Sequence, residues 1–167
     1  MPDGPRHKGP DYDGDFYAWT QYQAEVLRTL RTRDNRFDRD NIVEEVESLG
    51  RSERDAVRSQ VRRILVHLLK LAYSPARDPR LDWISSIIQA RAELDDKLSP
   101  SLRRDAQQSL PKLYGDAREQ AAVELAKYGE RDAAAALPEA CRFTLDEVLS
   151  KGWYPEPAGG GRNDQGA

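Results

Sequence analysis

An all-α fold is what the sequence predicts, on three observations. Apolar residues recur at helical spacing in segment after segment, no stretch alternates with a period of two, and Pro, Gly and Ser clusters separate the periodic runs. The expected architecture is a single-domain helical bundle of about five to seven helices, mostly antiparallel, over residues 13–155. Flexible tails are expected at 1–12 and 156–167, where Pro, Gly and charge are dense.

The elements follow in order. Between Asp13 and Arg31, the residues Phe16, Trp19, Val26, Leu27 and Leu30 fall on one side of a helix turning about 100° per residue. Thr32 to Arg39 reads as a polar turn. A short helix from Asp40 then carries Ile42, Val46 and Leu49 as its inward stripe, with Gly50 in the C-terminal capping position. Ser52 and Asp55 start a third helix that runs to about Tyr73 and has the widest apolar face, from Val57 through Leu69. One helix continuous through Gly50 is the alternative. Ser74 to Pro79 ends that segment, because proline lacks the backbone donor a helix interior needs.

Leu81, Ile84, Ile87, Ile88, Leu94 and Leu98 mark a fourth helix. Ser99 and Pro100 open another, Pro111 splits or kinks it, and an Ala-rich segment follows from about Gly115 to Tyr128. Thr144, Leu145, Asp146 and Glu147 form a capping box for a last short helix, which Gly152 closes.

Composition narrows the function classes. Lys and Arg number 26 against 29 Asp and Glu, so a net charge of −3 provides no broad basic field for nucleic acid or an anionic membrane. A single cysteine and the lack of any apolar run long enough for a leader or a span make the cytoplasm the expected compartment.

Polar residues that fall on apolar faces are the candidates for a site. Gln23 lies among Trp19, Val26 and Leu27, and Arg91 lies among Ile84, Ile87, Ile88 and Leu94. A buried guanidinium is costly without acceptors, so Arg91 implies a partner, and Glu45 at the edge of the Ile42–Leu49 stripe offers a carboxylate. Glu44 and Glu47 point away and are expected to be solvated. Glu53, Gln60 and His67, spaced seven apart, line one margin of the third helix. The sequence therefore predicts that Glu45, His67 and Arg91, from three different helices, converge in one partly buried cluster with Glu53, Gln60 and Gln23. Such a cluster serves as a working site or, the reading favoured by general experience with buried polar groups, as scaffolding that fixes helix register.

Other chemistries find less. Metal sites in helical bundles use inward carboxylates with Glu-x-x-His spacing, which is missing, so neither metal nor cofactor is expected. Cys141 has no local base and reads as a small buried hydrophobe. Arg51, Arg54, Arg58 and Arg62 form a basic band diluted by Glu53 and Asp55, which gives a nucleic-acid partner little support. Arg62 and His67 resemble the Arg-x-x-x-x-His signature of the all-helical HEPN ribonucleases. Their side chains lie about 140° apart on a regular helix, so a shared pocket is expected to need a second subunit or distorted geometry.

The order of several segments resembles a known family. These are Asp15 to Gln21 (DFYAWTQ), Asn41 to Glu53 (NIVEEVESLGRSE), His67 to Lys70 (HLLK), Asp82-Trp83 with Arg91, and Cys141 with Thr144 to Leu149. Together they look like the bacterial family catalogued as domain of unknown function twenty-nine, over about residues 13–155. Leu71 and Arg142-Phe143 stand where that family usually has tryptophan and proline-tryptophan. The resemblance implies an all-helical protein and brings no established activity. The expected role is binding or assembly with another protein or a second copy of the chain, with no membrane partner. The alternative is an RNA-directed nuclease using Arg62 and His67.

Overall fold

The computed structural model describes residues 9–158, so the outer parts of both expected tails lie outside the described residues. Among these residues there are six helices and no strand: α1 Phe16–Thr29, α2 Arg39–Tyr73, α3 Arg80–Lys97, α4 Pro100–Lys127, α5 Arg131–Ala135 and α6 Leu145–Leu149. The all-α expectation and its count of helices hold. The chain divides into two compact units, one taking in the chain up to Ala56 with Leu98–Asp105, the other Val57–Lys97 and the chain from Ala106.

In the first unit, Asp15 closes two helix starts at once. Its carboxylate accepts from the Ala18 N–H at 3.1 Å, in the first turn of α1, and from the Ser101 N–H at 2.9 Å, in the first turn of α4. The Ser99 hydroxyl donates to it at 2.9 Å. Helix N-termini leave amides without intrahelical partners, and one anion here serves two of them. Burial alone would raise the Asp15 pKa, but the hydrogen bonds from Ser101, Ala18 and Ser99 prevail and hold it below the usual carboxylate range.

The first unit also corrects the expected apolar stripes. Gly50 does not cap a helix; α2 runs unbroken through it, and Gly50 is buried. A Cβ there would collide with the Thr20 hydroxyl and stand 3.1 Å from Gln21 Nε2, so its missing side chain is what admits α1. The buried residues of α1 are accordingly the small Thr20 and Ala24. On α2 the inward side holds Val43 and Gly50, which leaves Ile42 and Leu49 exposed. Glu47, expected to be solvated, pairs with Arg28 of α1. Tyr12, Phe16 and Trp19 form an aromatic cluster, with Tyr12 edge-on to Trp19 at 4.8 Å between ring centroids.

The second unit holds the larger apolar core, with Val57, Ile64, Leu68, Ile87 and Tyr114 among its buried members. Proline did not split α4, since Pro111 lies within it. On α3 the buried side is Trp83, Ile87, Ala90, Arg91 and Leu94. The helix turns to bury the indole, the largest apolar group it carries, and this leaves Leu81 and Ile88 outside. The capping box on α6 forms as the sequence predicts, with the Thr144 side chain accepting from the Glu147 N–H and the Glu147 side chain accepting from the Thr144 N–H. Gly152 adopts φ +78 just beyond α6, a conformation that suits glycine. No helix among the described residues is long and apolar enough to cross a membrane.

Candidate functional site

The expected convergence of Glu45, His67 and Arg91 does not form. Because α2 is continuous, Glu45 and His67 share one helix, about six turns apart, instead of belonging to two helices folded against each other. Glu45 is exposed. Gln23 and Glu53 are half-buried in the first unit. Gln60, in the second, donates to Glu93 at 2.6 Å and buries its own side-chain oxygen without a partner.

Arg91 is buried as the sequence predicts, at 2% exposure, but its partners are not carboxylates. Its guanidinium donates to the carbonyls of Val148 at 2.9 Å, Trp153 at 3.0 Å and Glu147 at 3.1 Å. These lie at the C-terminal end of α6 and just after it, where carbonyls run short of intrahelical donors; the Glu147 carbonyl also accepts from the Ser150 N–H at 3.3 Å. Tyr154 stacks against the cation with 5.5 Å to its ring centroid. Burial pushes the guanidinium pKa down, opposed by Tyr154, yet arginine stays charged at any physiological pH. Arg91 thus ties α6 to α3, with each of its three nitrogens bonded to a backbone carbonyl.

A second polar layer surrounds His67, and most of it was missed from sequence. Lys70, 7% exposed within an apolar run of α2, places Nζ 2.7 Å from Glu124 Oε2 of α4 and 4.7 Å from the centroid of the Trp83 ring. Glu124 also accepts from Gln120 at 2.9 Å. Burial favours the neutral Glu124 acid, but the hydrogen bonds from Lys70 and Gln120 and the nearby positive charge outweigh it and lower the pKa. His67 has its pKa pushed down to about 4, first by burial and then by the positive charges of Lys70 and Arg63, with Glu124 opposing. Its imidazole is therefore neutral at pH 7, and Nδ1 is buried with no hydrogen-bond partner. A lysine embedded in the run from Val66 to Ala72 was the sequence signal that could have revealed this layer.

Two cavities adjoin the layer. One of about 690 Å³ has Lys70, Trp83 and Glu124 on its wall together with Asp82, Tyr128 and Glu130. The other, about 410 Å³, is lined by Ser59, Arg62, Arg63 and His67 of α2, Ser86 of α3 and Gln120 of α4. Arg62 and His67 therefore share a cavity without a second subunit. The arc of about 140° between them is filled by Ser59, Arg63 and Val66, and the cavity runs across it. No carboxylate lines this cavity. Of the expected basic band, Arg51 pairs with Glu44 and Arg54 with Asp55. Cys141 is half-buried, its thiol donates to the Phe143 carbonyl at 3.2 Å, and burial pushes its pKa up. Among the described residues no group of three or more His, Cys, Asp or Glu side chains is placed to hold a metal ion.

An all-helical protein with a polar layer left partly unsatisfied around His67 is the class the fold defines. The chain matches the family described as Domain of unknown function DUF29 over residues 12–154, and it belongs to that family. Its fold is similar to the crystal structure of an alpha-helical protein of unknown function from Rhodospirillum rubrum, with a TM-score of 0.76 and 25% sequence identity, over 87% of this chain and 93% of that one. No curated protein matches the chain.

Proposed function

We propose that the protein is an assembly module whose α3 pairs with α3 of a second copy. The carrying observation is the outer face of that helix: Leu81 at 76% and Ile88 at 55% exposure, with Ile84 half-exposed between them. At positions i, i+3 and i+7 these side chains form one stripe flanking the buried Trp83 side. Exposed Arg77 stands beside exposed Asp78 before the helix, and near its end Asp95 pairs with Lys151 while Asp96 is exposed. An antiparallel second copy brings Leu81 of each chain against Ile88 of the other. Such an arrangement is self-complementary, as a two-fold pair requires. A stripe of three apolar side chains supports weak association, well short of the area of about 1,200 Å² or more in stable complexes.

Sedimentation velocity over a concentration series tests the reading. The mass of the unmodified chain is expected to rise toward a dimer, and Leu81→Asp with Ile88→Asp to remain monomeric with unchanged helicity. A monomer at every concentration, or a dimer indifferent to both substitutions, removes the reading; binding to a different protein through the same stripe would replace it.

The second reading is the RNA-directed nuclease, favoured by one observation, that Arg62 and His67 line the same cavity. It requires His67→Gln to abolish cleavage of RNA while the fold stays intact. An assembly module tolerates that change.

A further inference from the structure

The cavity that holds Arg62 and His67 has a chemistry of its own, independent of both α3 pairing and any turnover. Two neighbouring guanidiniums line it, and no acidic side chain does. Arg63 is held in place by donating from Nε to Ser86 Oγ at 3.0 Å. Because that oxygen is the acceptor, the Ser86 O–H is left to donate elsewhere. Arg62 is exposed at the rim and makes no ion pair among the described residues. Ser59 and Gln120 complete a polar wall, and His67, whose Nδ1 is buried without a hydrogen-bond partner, lines the same cavity.

We propose that this cavity binds the phosphoryl group of a phosphate ester. Arginine forks match the oxygen pairs of a tetrahedral oxyanion, and hydroxyl donors fill positions the forks leave open. Arg63 within the wall and Lys70 behind it are positive neighbours of His67, with the Glu124 carboxylate, already held by Lys70 and Gln120, opposing them. A volume of about 410 Å³ holds a phosphate and part of the group that carries it. The ester is either a small phosphorylated molecule or a phosphodiester of RNA, and the shared chemistry is the oxyanion.

NMR of the His67 imidazole in the full chain reads the site, with His7→Gln as background so that one histidine signal remains. Titration with inorganic phosphate is expected to move that signal saturably and to raise its titration midpoint, because an anion beside an imidazole stabilises the protonated form. Arg62→Gln, at an exposed position, is expected to weaken phosphate binding about tenfold while leaving the thermal midpoint unchanged. Displacement of phosphate by hexauridylate assigns a phosphodiester, and phosphate binding without displacement assigns a small monoester. A signal that does not move, that moves equally with matched sodium chloride, or that responds undiminished in Arg62→Gln overturns the proposal. Retained α3 pairing or absent RNA cleavage has no bearing on this result.

Discussion

Asp15 and Arg91 are matched opposites. In one unit a carboxylate gathers the free amides at two helix starts, and in the other a guanidinium gathers carbonyls at a helix end. Each is placed where the helix terminus has the complementary partial charge. The surroundings of His67 and Arg62 differ from both, since polar capacity there goes unused. A charge fully engaged by backbone groups holds a structure together, whereas a partly engaged one in a cavity has something left to offer a ligand.

That contrast breaks first at Arg91. Arg91→Ala takes the guanidinium from three carbonyls and leaves those of Val148 and Trp153 without a donor, and urea denaturation is expected to show a loss of about 3 kcal/mol. Arg91→Lys should recover less than half, because one ammonium cannot reproduce the planar fork that spans Val148, Trp153 and Glu147. Asp15→Ala removes acceptors from both helix starts and should cost about 2 kcal/mol by the same measurement. Since the folded Asp15 pKa is lowered, its contribution is present above the pKa of the unfolded chain and is lost as pH falls through the folded value.

His67 sharpens the comparison through pH. Its folded pKa of about 4 lies below the ordinary 6.5, so the unfolded chain takes up a proton first. Stability is undiminished by this group above pH 6.5 and declines as pH falls toward about 4. Thermal melts of His67→Gln are expected to show a flatter profile across that window. Arg62→Gln should be the mildest change, within about 0.5 kcal/mol of the parent protein in urea, as expected for an exposed side chain with no ion pair among the described residues.

Much of the fold was legible because it is written in local chemistry. Periodicity gave the helical class, and Thr144 to Glu147 announced α6 through a capping pattern that depends on four consecutive residues. Arg91 could be read as buried from its place among the α3 apolar residues. Its partners could not, because a backbone carbonyl looks the same at every position of a sequence. The inward face of α2 was misread for a related reason: Gly50 at the end of an apolar stripe resembles a helix stop, and only the arrival of Thr20 shows that its small size was needed for packing. Lys70 and Glu124 lie 54 residues apart, and no spacing rule links them.

The meeting of Gly50 with Thr20 makes the seat of α1 a gauge of side-chain volume. Neither residue contributes a charge to that meeting, so its tolerance should scale with bulk alone: alanine, serine and valine at position 50 would lever the helix outward by successive steps. A family of such variants would give α1 graded mobility while the hydrogen bonds around Arg91 stay as they are.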